Sequence, residues 1–167
     1  MRALHVLFYK PEKGDHWLNH LVTFISPPYS HCDLQFENDI ATSIYQNESV
    51  YIEKKNFTRC NYKRVSLSIS DEEYNKILKF CENHHKNKTK FDIHGMLGCF
   101  LPFYNFKPKE KTFCSRYIVE ALQESNIHEL KLLNAPKISP SMLFFCLETL
   151  NKSFIHVSNS RVKYLTL

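Results

Sequence analysis

Glycine is the scarcest structural resource of this chain: three in 167 residues, at positions 14, 95 and 98. So few residues tolerant of left-handed backbone exclude glycine-rich phosphate loops and repeats built on tight turns. Nor is there an apolar run of membrane-spanning length, and residues 1–10 lack the long apolar segment of a secretory leader. The six cysteines, at 32, 60, 81, 99, 114 and 146, form no close pair at metal or redox spacing. Free thiols in a reducing compartment follow, and the expected location is cytoplasmic. A net charge of +5 is spread over scattered lysines, which argues against nucleic-acid binding. The four Asn-x-Ser/Thr sequons, beginning at Asn47, Asn56, Asn87 and Asn151, are read as chance in an Asn-rich chain.

What is present is a globular composition, with 43% hydrophobic and 14% aromatic residues, enough to bury a core. One domain over 1–167 is expected, without repeats or linkers. His5–Tyr9 reads as a buried strand stopped by Pro11 and Gly14. Asp15 is the expected cap of a helix carried by Trp17, Leu18, Leu21, Val22 and Ile25. After Ser26-Pro27-Pro28-Tyr29, a hairpin is expected from Ser30–Phe36 and Ile40–Gln46, followed by strands at Val50–Glu53 and Tyr62–Leu67. Ser70 and Glu73 form a capping box, and Tyr74, Ile77, Leu78 and Cys81 recur at helical spacing up to the basic end at His84-His85-Lys86. Phe91–Phe106 is irregular, and Lys107–Lys111 is an exposed loop. Ser139-Pro140 opens another helix through Leu150, and Phe154–Val157 with Val162–Leu167 suggests a closing strand pair.

The stretch Thr112–Leu122 carries the chemistry. Thr112 is the expected N-cap, Ile118, Ala121 and Leu122 give the buried stripe, and Cys114 falls in the first turn. Unpaired N–H groups and the positive end of the helix dipole favour a thiolate there, so Cys114 is either a nucleophile or a small buried apolar residue. A nucleophile needs a base, and His31, starting a strand after a proline turn, is the best placed of nine histidines. Asp33 shares its face. Across the hairpin, a two-residue turn at Asn38-Asp39 would bring Gln46 opposite His31, and a three-residue turn centred on Glu37 would bring Ser43. No cofactor is expected. His94 and Cys99 do not give with Cys114 the tight ligand spacing of zinc sites, so no metal is expected either.

Taken together, a helix, Pro28-Tyr29-Ser30-His31-Cys32-Asp33-Leu34, a capped helix, Phe91-Asp92-Ile93-His94-Gly95 and Phe113-Cys114-Ser115-Arg116-Tyr117-Ile118-Val119-Glu120-Ala121-Leu122 resemble the circularly permuted NlpC-like papain-fold proteins, over Leu7 to Leu150. In that family the histidine strand precedes the cysteine helix. The resemblance implies an α+β fold, an antiparallel sheet with the Cys114 helix packed on it. It implies a cysteine nucleophile at Cys114, a histidine base at His31, and a third polar group on or beside the histidine strand: Asp33, or Ser43 or Gln46 on the next strand. Family activities include peptidases, amidases and lipid acyltransferases. The expected function is a thiol hydrolase acting on a peptide, amide or acyl substrate. The alternatives are acyl transfer or thioester cleavage, and an inactive binding module that uses Phe103, Tyr104, Phe106 and the lysine loop. The acyltransferase branch resembles this chain less, which lacks the apolar C-terminal anchor such members often carry.

Overall fold

Five strands form one antiparallel sheet, and in a computed structural model the residues described are 1–57, 61–103, 108 and 110–163, with 152–163 as backbone alone. In chain order the elements are β1 (Arg2–Tyr9), α1 (Trp17–Ile25), β2 (His31–Gln35), β3 (Ile40–Ser43), β4 (Tyr51–Lys54), β5 (Tyr62–Ile69), α2 (Asp71–Lys86), β6 (Lys90–Phe91), α3 (Ile93–Gly98), β7 (Lys111–Thr112), α4 (Cys114–Leu122), α5 (His128–Lys131) and α6 (Pro140–Lys163). The sheet order is β4-β3-β2-β1-β5, so β2 is central and flanked by β1 and β3. β6 and β7 pair separately, in parallel. The class is α+β.

Burial explains why β2 sits in the middle. Cys32, Leu34 and Phe36 face a core shared with Leu4, Val6 and Phe8 of β1, Tyr74 and Ile77 of α2, and Ile118 and Leu122 of α4. The opposite face of β2 carries His31, Asp33 and Gln35, which are buried as well. A central strand with polar residues on one face has to satisfy them with partners other than water.

The capping box forms as expected: Ser70 Oγ accepts from Glu73 N–H, and Glu73 Oε2 accepts from Ser70 N–H at 2.8 Å. Ile77, fully buried, is the main anchor of α2, and Leu78 lies only partly covered at the edge of the core.

Several expected details are corrected. His16 caps α1, its Nδ1 accepting from Leu18 N–H, while Asp15 accepts from the Tyr9 hydroxyl at 2.7 Å and from Glu12 N–H. Thr112 is not the cap of α4. It pairs with Phe91 in β7, and extended Phe113 occupies the cap position with no side-chain bond. The strand expected at Phe154–Val157 is helix, because α6 runs on to Lys163; of Val162–Leu167, residues 164–167 lie outside the described residues. Within Phe91–Phe106 the chain forms α3, and 104–106 lie outside the described residues, as do Lys107 and Lys109 of the expected loop.

The Phe91-Asp92-x-x-Gly95 motif acquires a local reason. Asp92 caps α3 by accepting from Gly95 N–H at 2.9 Å, and a Cβ at position 95 would run into the Asp92 carboxylate. Asp92 N–H in turn donates to Thr112 O at 2.7 Å, two residues before Cys114. The motif therefore positions the start of α4. Three serines do the same for β2: Ser26 Oγ and Ser139 Oγ lie 2.7 Å apart, and Ser141 Oγ donates to Ser26 O and accepts from Tyr29 N–H. These bonds tie the turn that leads into His31 to the first turn of α6.

Candidate active site

Helix α4 lies against β2 and β3, and its first residue, Cys114, meets the start of β2. Cys114, at 4% exposure, and His31, at 7%, line one cavity of about 280 Å³. Leu18 and Val22 of α1, Phe91 and Met96 supply its apolar wall; Ser30, Tyr45, Gln46 and Asn47 supply uncharged polar groups. A thiol and an imidazole thus face a small space of mixed polar and apolar lining.

The histidine has a carboxylate beside it. His31 Nε2 lies 3.5 Å from Asp33 Oδ2, an ion-pair contact between groups that are both buried. Neighbours two apart on a flat strand point in parallel, and the twist of a central strand lets these two approach. The same carboxylate accepts from the Tyr51 hydroxyl at Oδ1 and has Lys55 Nζ at 3.9 Å. Lys55 Nζ donates to Tyr45 Oη at 2.6 Å and to Tyr51 Oη at 3.3 Å. The Tyr45 ring stacks on the His31 ring, centroids 4.3 Å apart and planes within 18°, and on the far side lies parallel to Tyr51.

Electrostatics follow from that arrangement. Burial opposes charge on His31, but the Asp33 carboxylate and the Cys114 sulfur outweigh it and raise the imidazole to about 10. The Cys32 thiol donates to the Cys114 sulfur, and His31 adds its positive charge; against burial, both hold Cys114 well below the ordinary thiol range. Burial works against ionised Asp33 too, and His31, Lys55 and the Tyr51 hydroxyl reverse it, leaving the carboxyl below its usual range. Tyr51 is pushed up by burial and by Asp33, so it stays a donor. The resting pair favoured here is thiolate and imidazolium.

Of the residues expected from sequence, Cys114, His31 and Asp33 come together. Ser43 does not join them: its hydroxyl donates to Cys32 O at 2.6 Å. Gln46 lines the cavity, and it is Asp33 that stands against the His31 Nε2. The turn explains both outcomes. Glu37–Asp39 forms a single 3-10 turn with Asn38 and Asp39 in left-handed conformation, and Leu34 pairs with Thr42. Continued outward, that register points Tyr45 at His31, between the two expected alternatives. Tyr45, Tyr51 and Lys55 were not singled out from sequence. Of the three only Tyr51 lies on β4, Tyr45 preceding that strand and Lys55 following it, and aromatic or basic residues there are a weak signal, since they are common around half-buried strands.

Among the described residues no group of three or more His, Cys, Asp or Glu is placed to hold a metal ion, and no helix is long and apolar enough to cross a membrane. The described cysteines 32, 81, 99, 114 and 146 are free thiols. Comparison with family models, with curated proteins and with solved structures found no match in any of the three.

Proposed function

We propose that the chain is a cysteine-dependent hydrolase of the permuted NlpC-like papain type, cleaving an amide. The observation that carries this reading is the row Cys114–His31–Asp33: a thiol at a helix start, an imidazole beside it, and a buried carboxylate 3.5 Å from the imidazole's Nε2. Each member has the role that acyl transfer to sulfur requires. Cys114 sulfur attacks the carbonyl carbon and forms the C–S bond. The oxyanion lies at the start of α4, where the first N–H groups have no acceptor within the helix, the Cys114 N–H among them. His31 gives its proton to the leaving nitrogen as the C–N bond breaks. It then takes a proton from the water that releases the acid and restores the thiol. Asp33 stabilises the imidazolium throughout. A reducing, cytoplasmic setting suits this chemistry, because the thiol must stay reduced.

Alkylation gives a direct test. With iodoacetamide near pH 6–7, Cys114 is expected to react at least about tenfold faster than Cys32, Cys81, Cys99 and Cys146, all of which burial pushes up. Peptide mapping by mass spectrometry reads the rates, and His31→Ala should slow Cys114 selectively. A panel of blocked peptide amides and acyl thioesters, run on wild type and Cys114→Ser, then reads turnover. Equal labelling of all the cysteines, with no substrate cleaved, would remove the hydrolase reading.

A further inference from the structure

The cavity at Cys114 shares part of its lining with a neighbour. Asn47 and Phe91 also line a neighbouring cleft of about 420 Å³, walled by Lys88, Lys90 and Lys111. Those three lysines line a further hollow of about 660 Å³ beyond it. The first and second spaces share Asn47 and Phe91, and the second and third share the three lysines, so the three lie side by side as a groove-like run from the thiol to a lysine-rich floor.

The placement of the lysines is unusual for a surface that serves only solubility. β6 and β7 pair in parallel with Lys90 opposite Lys111, which puts two like charges side by side in a two-residue ladder. Like charges directly opposite one another are destabilising. Lys88 enters from a left-handed turn (φ 50°) and is exposed, as are Lys90 and Lys111. Glu48 and Glu110 lie on the same rims, yet among the described residues neither forms an ion pair with these lysines. The segments joined here are themselves lysine-rich, with Lys86, Lys88 and Lys90 on one and Lys107, Lys109 and Lys111 on the other.

The two ends of the groove differ in charge. Among the described residues the Cys114 cavity is lined by no Asp, Glu, Lys or Arg, and its Cys114–His31 pair is neutral in sum, so it suits an uncharged group, since burying an unpaired charge there is costly. The cleft next to it offers three cations. We propose that the groove binds a polypeptide substrate, its carboxylate-bearing stretch lying along Lys88, Lys90 and Lys111 and an uncharged neighbouring residue presented to Cys114. The proposal rests on the hydrolase reading and names its substrate class, an acidic polypeptide. A peptide fits better than a single-stranded nucleic acid, which needs successive aromatic platforms for its bases; among the described residues the lysine-walled part offers the Phe91 ring and the His84 imidazole, one in each hollow.

The test uses the full chain and a fluorescein-labelled peptide, Leu-Ala flanked on each side by three glutamates, compared with the same peptide carrying glutamines. On the Cys114→Ser protein at low salt, fluorescence anisotropy should show the glutamate peptide binding about tenfold or more tightly, an advantage that fades as salt screens it. Lys90→Glu with Lys111→Glu should erase the difference, and Lys90→Gln with Lys111→Gln serves if the charge reversal fails to fold. In wild type, a saturating amount of the glutamate peptide should slow iodoacetamide alkylation of Cys114 several-fold, and the glutamine peptide should not. Equal affinity for the two peptides overturns the proposal. So does binding that leaves Cys114 unprotected, or tighter binding of a single-stranded RNA or of phosphatidylserine vesicles. The two readings fail separately. If the glutamate peptide protects Cys114 but no amide is ever cleaved, the hydrolase reading falls and the groove stands. If neutral amides are cleaved with no preference for acidic flanks, the groove falls and the hydrolase stands.

Discussion

Replacing Cys114 with serine should abolish turnover, by roughly 1,000-fold or more, while the protein melts nearly as wild type. The reason is that oxygen nearly conserves volume but not acidity. A serine hydroxyl beside His31 stays protonated, so the attacking anion is lost, whereas the packing around position 114 hardly changes. The expected stability cost is about 1–2 kcal/mol at most. Ile77→Ala supplies the contrast: Ile77 is fully buried in α2, and the cavity left behind should cost about 2–5 kcal/mol with no chemistry involved. Thermal melts and a turnover assay on the two variants separate the roles. If Cys114→Ser melts as badly as Ile77→Ala, Cys114 is a core residue and the hydrolase reading fails.

The legible part of the fold is where local chemistry and burial agree. The capping box at Ser70 and the stripe through Tyr74, Ile77 and Cys81 needed nothing beyond the helix itself, and α2 starts where the box places it. β1 and the central strand could be read because their apolar residues are continuous or alternate. What escaped the sequence depended on distant partners. Thr112 has the chemistry of a cap, but pairing with Phe91 claims its backbone for β7. Phe154–Val157 has strand-like residues, yet the helix begun at Pro140 continues through them. Propensity is a weak prior, and a helix already nucleated and packed overrides it.

The candidate site divides along the same line. Cys114 and His31 announce themselves by position, one at a helix start and the other at a strand mouth after a proline turn. Their supporting residues do not. Tyr45 reaches the His31 ring only because the hairpin closes through a 3-10 turn whose register could not be chosen from Glu37-Asn38-Asp39. Tyr51 reaches Asp33 from a strand two places away in the sheet, and Lys55 from just past that strand's end. Both meet Oδ1, the carboxylate oxygen that His31 does not approach, so Asp33 has a donor and a cation that keep it ionised when the histidine is neutral. This explains how a carboxylate with no measurable exposure persists as an anion: its charge is shared between a histidine, a tyrosine hydroxyl and a lysine, not left to one partner.

Asp33→Asn should therefore do more than remove one hydrogen-bond acceptor. The amide keeps the shape but takes away the negative charge that offsets the imidazolium, and turnover should fall by roughly 100-fold or more. The signature is in titration. In the parent protein His31 is raised to about 10, after burial, chiefly by Asp33; in the variant its ring signals, followed by NMR, should titrate at distinctly lower pH. Stability should respond at both ends of the pH scale. For Asp33, held below its usual range, the folded state binds fewer protons than the unfolded chain near pH 4. Its contribution is present above the unfolded value of about 3.9 and is lost as pH falls through the folded value, so acid destabilisation should be blunted in the variant. For His31 the sign is opposite: the contribution is complete below about 6.5 and fades as pH rises toward 10, so once Asp33 is gone the alkaline loss should be smaller and end at lower pH. Denaturant melts from pH 3 to pH 10 on both proteins measure the two effects together. Unchanged turnover with an unchanged His31 titration would assign the acceptor role to another group and leave Asp33 a structural carboxylate of the Tyr51–Lys55 cluster.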